Sequence, residues 1–284
     1  MLPDSGGRPY EVVVIGDADS MVYNALSAST DALPQHEPMF DVECRKQMTS
    51  PMQFARNIVV VSIDRKRYRK TEVRYKRNVY AEPQTIVYLC SPTAQQLRKD
   101  MATHSASKAV ISVLNSSEMA LAKERLAEKH NPKMEEEVRR MFGIDIRIPS
   151  DMTSSKHGKN FIWISNDSPT AMTNICIYTS TNRDSVMKAN IKGETDNMYM
   201  TTSPGSMTTR IERIGGTKVT ISRGLWEMQG DDMGGPFVSH TIKGVGKHTQ
   251  TVVEAFIYAP GMKKRNLMLQ TEAALYTARK PSDK

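Results

Sequence analysis

The chain of 284 residues is short of the features that most directly announce a function. It has three cysteines, Cys44, Cys90 and Cys176, far apart and with no CxxC. That spacing argues against a disulfide framework and against a zinc ribbon. All three lie in strand-like apolar runs, so buried free thiols are expected. The six histidines include no i, i+4 pair and no HExxH, which argues against a helix-borne zinc site. No run approaches the ~18 apolar residues of a membrane helix. No signal peptide is visible. Residues 1–9, within "MLPDSGGRPY", read as an extended Pro/Gly tether.

What the chain does have is the composition of a packed domain: 39% hydrophobic and 25% charged residues, with 19 methionines to fill gaps among few aromatics. The formal charge of +8 is concentrated. Arg65, Lys66, Arg67, Arg69, Lys70, Arg74, Lys76 and Arg77 against Glu72 leave +7 in one short stretch and the remainder close to neutral. A local strip of this kind reads as a solvated hairpin edge or as a contact for anions. It does not read as a nucleic-acid-binding protein as a whole, although Tyr68, Tyr75 and Tyr80 interleave with the cations.

Patterning predicts an α+β protein: two associated halves of mainly antiparallel strands with covering helices, residues 10–150 and 160–280, meeting softly at "SDMTSSKHGKN". Strands are expected at "YEVVVIGD", "MFDVECRKQ", "NIVVVSID", "EVRYKRNVY" and "TIVYLC". A helix is expected over about Ser20–Leu33 and a long helical region after Pro92. Asn131 and Pro132 cap and open a further helix, whose apolar face is Met134, Val138, Met141 and Phe142, with Gly143 as its stop. "IDIRIP" alternates as a strand does. The second half reads as strands at "FIWIS" and "TNICIYTS", a helix over Arg183–Ile191, strands near Met198, Ile211, Val219–Met228, Phe237–Ile242 and Val252–Tyr258, then a last helix over about Gly261–Arg279. On that helix Met262, Leu269, Ala273 and Tyr276 share a face.

The strongest catalytic pattern joins "VVVIGDADS" with "QGDDMGG". Haloacid-dehalogenase-like phosphatases place an early Asp-x-Asp and a late acidic motif in that order around magnesium, one carboxylate attacking phosphorus while others hold the cation. Asp17, Asp19, Asp231 and Asp232 would fill those roles. Met21 departs from the motif, and "PFV" after Gly235 reads as strand where a helix is required. Helix capping is the competing reading of Asp17–Ser20. "KGVGKHTQ", residues 243–250, lacks the first glycine and the Ser/Thr of a phosphate loop and reads as a hairpin turn. "SASK", residues 105–108, lacks the companion motifs of penicillin-binding enzymes. No cofactor or metal site is assigned. The residues singled out for ligand contact are Trp226, Asp231 and His240, and for anion contact Arg65, Arg67, Arg69, Lys70 and Arg74.

"LPDSGGRPYEVVVIGD", "RDSVMKANI", "GLWEMQGDDMGGPFVSH" and "IYAPGMKKRNLMLQTEAALYT" resemble, from Leu2 to Arg279, an uncharacterised family of Bacteroidota lipoproteins, domain-of-unknown-function family 4837. The resemblance implies export and a lipid-modified cysteine shortly before the Leu-Pro leader. It therefore implies a start upstream of Met1, a cell-envelope location, and membrane association only through that anchor. It implies no catalytic residue. The expectation is a non-enzymatic envelope protein that binds an unknown partner or ligand and does not bind nucleic acid. The alternatives are the magnesium phosphatase, or contact with anionic polymers or lipid head groups through residues 65–77.

Overall fold

The structure, a computed structural model, describes residues 1–180, 182–195, 197–244 and 249–281. The chain divides into two compact units, one of Met1–Thr30 and Pro38–Leu121, the other of Asp31–Glu37 and the residues from Ala122 on. The division falls inside a helix, not in the Ser150–Asn160 stretch.

The first unit holds β1 (Glu11–Ile15), α1 (Met21–Leu26), β2 (Asp41–Arg45), β3 (Asn57–Ile63), β4 (Glu72–Arg77), β5 (Thr85–Ser91), α2 (Ala94–Ala102) and most of α3 (Ser105–Glu128). Its sheet runs β2-β1-β3-β5-β4. The α+β expectation holds, and antiparallel pairing predominates over the molecule, but this sheet is mixed. β2, β1, β3 and β5 run parallel, and only the edge strand β4 is antiparallel to its neighbour. The sequence carries the reason. "EVVVI", "NIVVVSI" and "TIVYLC" are nearly continuous apolar runs, as strands covered on both faces require, whereas "EVRYKR" alternates. β5 lies between β3 and β4, so the first part of the basic strip is a crossover, and its second part, β4, is an edge strand in an antiparallel hairpin with β5.

Other local differences have local causes. The leader is docked: Gly6 N–H donates to the Phe54 carbonyl at 2.8 Å and Glu82 N–H to the Pro3 carbonyl at 2.9 Å. α1 stops at Leu26, and α2 and α3 are separated at His104, whose φ is +61°. Cys44 is exposed on the outer strand β2, while Cys90 and Cys176 are buried as free thiols.

The second unit contains α4 (Pro132–Phe142), β6 (Ser154–Gly158), β7 (Phe161–Ser165), β8 (Met172–Tyr178), α5 (Arg183–Asn190), β9 (Tyr199–Thr202), β10 (Thr208–Ile214), β11 (Thr217–Gln229), β12 (Gly234–Lys243), β13 (Gln250–Tyr258) and α6 (Arg265–Leu275). All pairings in its sheet, β10-β11-β12-β13-β8-β7-β6 with β9 beside the end of β11, are antiparallel. The stretch where the two halves were expected to meet contains β6, an exposed edge strand whose polar sequence conceals its pairing with β7. "IDIRIP" forms no ladder. It is an extended segment with isolated bridges, and its alternation buries Ile144, Ile146 and Ile148.

Strand period two divides the core of this unit. One face packs Val219, Ile221, Val238, Val253 and Ile257 against α4, α6 and the 144–148 segment. The other packs Trp226, Met228, Phe237, Cys176 and Phe256 against α5. α6 is buried at Arg265, Met268 and Thr271–Leu275; of the face expected, Ala273 is buried, Leu269 and Tyr276 are half-buried, and Met262 is exposed ahead of the helix.

Candidate functional site

Of the carboxylates of the phosphatase pattern, Asp17 and Asp19 are engaged locally. Asp17 Oδ2 accepts the Tyr23 N–H at 2.9 Å and so caps α1, while Ser20, at φ +54°, makes no side-chain cap. Asp19 pairs with Arg98 at 2.8 Å. These two belong to the first unit; Asp231 and Asp232 belong to the second, exposed in the turn between β11 and β12. Among the described residues no three His, Cys, Asp or Glu side chains are grouped to hold a metal ion. The phosphate-loop pattern falls largely on residues 245–248, outside the described residues. Ser105 of "SASK" donates its hydroxyl to the Asp100 carbonyl at the start of α3.

Trp226, Asp231 and His240 are not brought together. Register places Trp226 across from Gly235 and His240 across from Ile221, so the two rings point to opposite sides of the sheet. Trp226 is buried, donates its indole N–H to the Ile257 carbonyl at 3.1 Å and meets Phe256 edge-on at 5.6 Å. The glycines around it are space requirements. A Cβ on Gly235 would collide with the Ile257 carbonyl oxygen and stand 3.1 Å from the indole nitrogen; one on Gly224 would come to 2.8 Å of the Phe237 ring.

All eight cations of the basic strip are exposed. Asp64 Oδ1 accepts the N–H groups of Lys66 and Arg67, which folds the turn that presents Arg65, Arg67, Arg69 and Lys70, and Arg74 pairs with Glu72 at 2.8 Å.

Pattern reading missed two buried charge clusters in the second unit. On the α5 face Glu254, fully buried in the middle of β13, receives Arg183 Nε at 3.0 Å and Nη2 at 2.8 Å, and the Tyr178 hydroxyl at 2.8 Å. Arg183 lies 3.8 Å over the Phe237 ring. Burial first, then the Glu254 charge, pushes the Tyr178 phenol and the Cys176 thiol well above their ordinary values, so neither is an anion near neutrality. On the α6 face the fully buried Glu272 is clasped by Arg223 Nη2 at 2.5 Å to both oxygens. His240 Nε2 stands 3.6 Å from the same carboxylate, too far to hydrogen-bond, and among the described residues neither ring nitrogen has a hydrogen-bond partner. Burial works to raise the Glu272 carboxyl, but Arg223 and His240 outweigh it and hold the group below the usual range. The detectable signal was a lone carboxylate inside an apolar run, "TVVEAF", and another inside "TEAALY".

Next to the second cluster the structure opens a cleft of about 590 Å³. Its floor is apolar, from Ile146, Ile214, Val219 and Ile242; its walls carry Lys123, Tyr276 and the segment 277–279; its far rim carries Glu135, Arg139, Asp145 and Arg147. Tyr276 joins cluster to cleft. Its ring meets His240 edge-on at 4.7 Å and takes the Lys123 ammonium 4.9 Å from its centroid. Burial, then Glu272 and Glu212, raises its phenol to about 12, so it stays a neutral hydroxyl. Burial draws the Lys123 ammonium below the ordinary lysine value. The volume and the mix of apolar floor and few charged groups are those of a small-molecule site. A shallower hollow of about 460 Å³ lies in the first unit between Lys70–Val73 and the residues Gln96, Asp100 and Ser105.

Compared with known protein families, residues 131–277 match the model described as Domain of unknown function (DUF4837), and residues 5–127 match a second, Domain of unknown function (DUF8532). The resemblance read from Leu2 to Arg279 is therefore divided: the family read from the sequence accounts for the later part, which includes α4 to α6 and the cleft's far rim, and a different family accounts for the earlier part. No curated protein matches the chain.

Proposed function

The chain belongs to the family Domain of unknown function (DUF4837), and from that premise we propose that it works by binding rather than by turnover, holding a small molecule in the cleft of its second unit. The observation that carries this reading is the cleft itself, an apolar floor beside the half-buried Lys123. In support, the carboxylates of the competing phosphatase reading are occupied by a helix cap and an ion pair, or exposed in a turn. The test is a thermal-unfolding screen of anionic, cationic and neutral small molecules against the wild type and Thr217→Trp, which places an indole at the cleft wall. A compound that raises the midpoint of the wild type and not of the variant supports the reading. Equal shifts in both, or none, overturn it, as does phosphatase turnover abolished by Asp17→Ala.

The same reading places the natural protein in the cell envelope, held by a lipid on a cysteine ahead of the leader; the family resemblance supports this. Metabolic lipid labelling of the protein from its native cells tests it, and the absence of lipid rejects it. A second reading rests on a separate observation, the eight exposed cations of residues 65–77 around an edge strand: contact with anionic polymers or head groups. It requires binding that weakens steeply with salt, and salt-independent binding removes it.

A further inference from the structure

Resting on the binding reading, we propose that the cleft selects an apolar-bodied anion, a carboxylate, sulfonate or phosphate on a hydrophobic skeleton, and that Lys123 is its anchor. The charges around the cleft are not balanced. Both of its acids are already taken: Asp145 by Arg139 at 2.7 Å and Glu135 by Arg147 at 2.7 Å, with His130 on the same Glu135 carboxylate at 2.9 Å. Two cations remain. Arg279 is exposed at the mouth. Lys123 is half-buried at the wall, and among the described residues no carboxylate lies within ion-pair distance of it; its ammonium rests against the face of Tyr276 alone.

A partly desolvated ammonium without a counter-charge is a cost to the fold. The ring quadrupole offsets only part of it. The lowered lysine value is the same fact seen from the proton's side: burial disfavours the charge and no acid restores it. An anion entering the cleft restores the missing partner. A cationic ligand meets Lys123 and Arg279 and finds no free carboxylate. A wholly polar ligand leaves the partly exposed Ile214 of the floor without an apolar contact.

The test uses a matched pair of fluorescent probes on the full chain. 1-Anilinonaphthalene-8-sulfonate is an apolar-bodied anion; N-phenyl-1-naphthylamine is the same ring system without the sulfonate. The sulfonate is expected to bind the wild type more tightly than its neutral counterpart. Lys123→Gln is expected to weaken the sulfonate about tenfold, the effect of losing one charge-assisted hydrogen bond, and to leave the neutral probe unchanged. Lys123→Arg, which keeps the charge, retains the sulfonate and shows that the loss in Lys123→Gln is not a folding defect. Decanoate and 1-naphthoate are then used as competitors, to separate a chain-bodied from a ring-bodied acid. Displacement by either acid but not by decanol supports the proposal. Equal binding of the two probes, or a Lys123→Gln variant that binds both as the wild type does, overturns the anion selectivity while leaving cleft binding intact. Thr217→Trp separates the two failures: if it binds both probes undiminished, they sit elsewhere and the cleft reading itself fails.

Discussion

Glu254 is surrounded by Cys176, Tyr178, Phe237 and Phe256, and a carboxylate at that depth is tolerable only because Arg183 and Tyr178 take up its lone pairs. The arginine is equally dependent: it is largely buried, and its remaining bonds run to Thr202 at 3.0 Å and weakly to Met200 and Asp184. Removing one partner strands the other. Glu254→Gln is expected to destabilise the protein by about 3–5 kcal/mol in urea denaturation, because it leaves a buried guanidinium unneutralised. Glu254→Leu with Arg183→Met removes both charges and is expected to cost much less than Glu254→Gln alone. A single substitution costing under about 1 kcal/mol would show that the pair does not hold α5 to the sheet. The same locality explains two strand glycines near Trp226: Gly224 in β11 and Gly235 in β12 are fixed by an aromatic ring and a carbonyl oxygen, not by a ligand.

Among the elements, what was legible was whatever has a nearby cause. The α4 helix begins and ends where Asn131, Pro132 and Gly143 dictate, because its cap is three residues from the N–H it serves: Asn131 Oδ1 accepts from Met134 at 3.2 Å, and Gly143 closes it at φ +67°. The α6 helix has no such signal. Its own N-cap, Lys264, offers no side-chain acceptor, and the free N–H groups of Lys264 and Arg265 are taken by Glu37 at 2.7 and 2.9 Å, from 227 and 228 positions earlier in the chain. No local pattern announces a cap from so far away. The expectation is that Glu37→Ala lowers stability by about 1–2 kcal/mol and Asn131→Ala by about 1 kcal/mol. Amide exchange tells the two apart: Glu37→Ala is expected to deprotect the first turn of α6 and leave α4 unchanged, and loss of protection in α4 alone would refute the distant cap. The parallel sense of β1, β3 and β5 departs from the antiparallel pairing expected of this half, although their unbroken apolar runs carry the signal. β6 and the 144–148 segment misled for opposite reasons: a polar edge strand alternates weakly, and a buried extended segment alternates without pairing.

Across the whole molecule the same rule separates what the sequence disclosed from what it concealed. Apolar periodicity places most strands and the core, because each apolar side chain needs only the common interior. A buried charge needs one particular partner, and pattern reading sends charges to the surface by default. Glu272 lies off the apolar face expected of the last helix, yet it is fully buried and held there by Arg223, 49 positions earlier. Lys123 and the cleft were invisible for the same reason. The arrangement makes stability depend on pH in a definite way. The Glu272 carboxyl is held below its ordinary value of 4.5, so its contribution is complete above about pH 4.5 and is lost as pH falls through the depressed folded value. The Tyr276 phenol is raised to about 12 from 10, so its contribution is complete below pH 10 and is lost as pH rises from 10 towards 12, where the unfolded chain releases the proton and the folded one keeps it. The expected outcome is that Tyr276→Phe, destabilised at pH 8 by the loss of its hydroxyl, closes the gap to the wild type between pH 10 and 11.5. Glu272→Gln, in contrast, should keep a constant deficit over that range and narrow it only in acid. Urea midpoints measured at pH 3.5, 8, 10 and 11.5 decide it: a Tyr276→Phe deficit that is the same at pH 8 and 11.5 would mean that the phenol ionises alike in folded and unfolded chains, and that the wall between His240 and Lys123 is open to water.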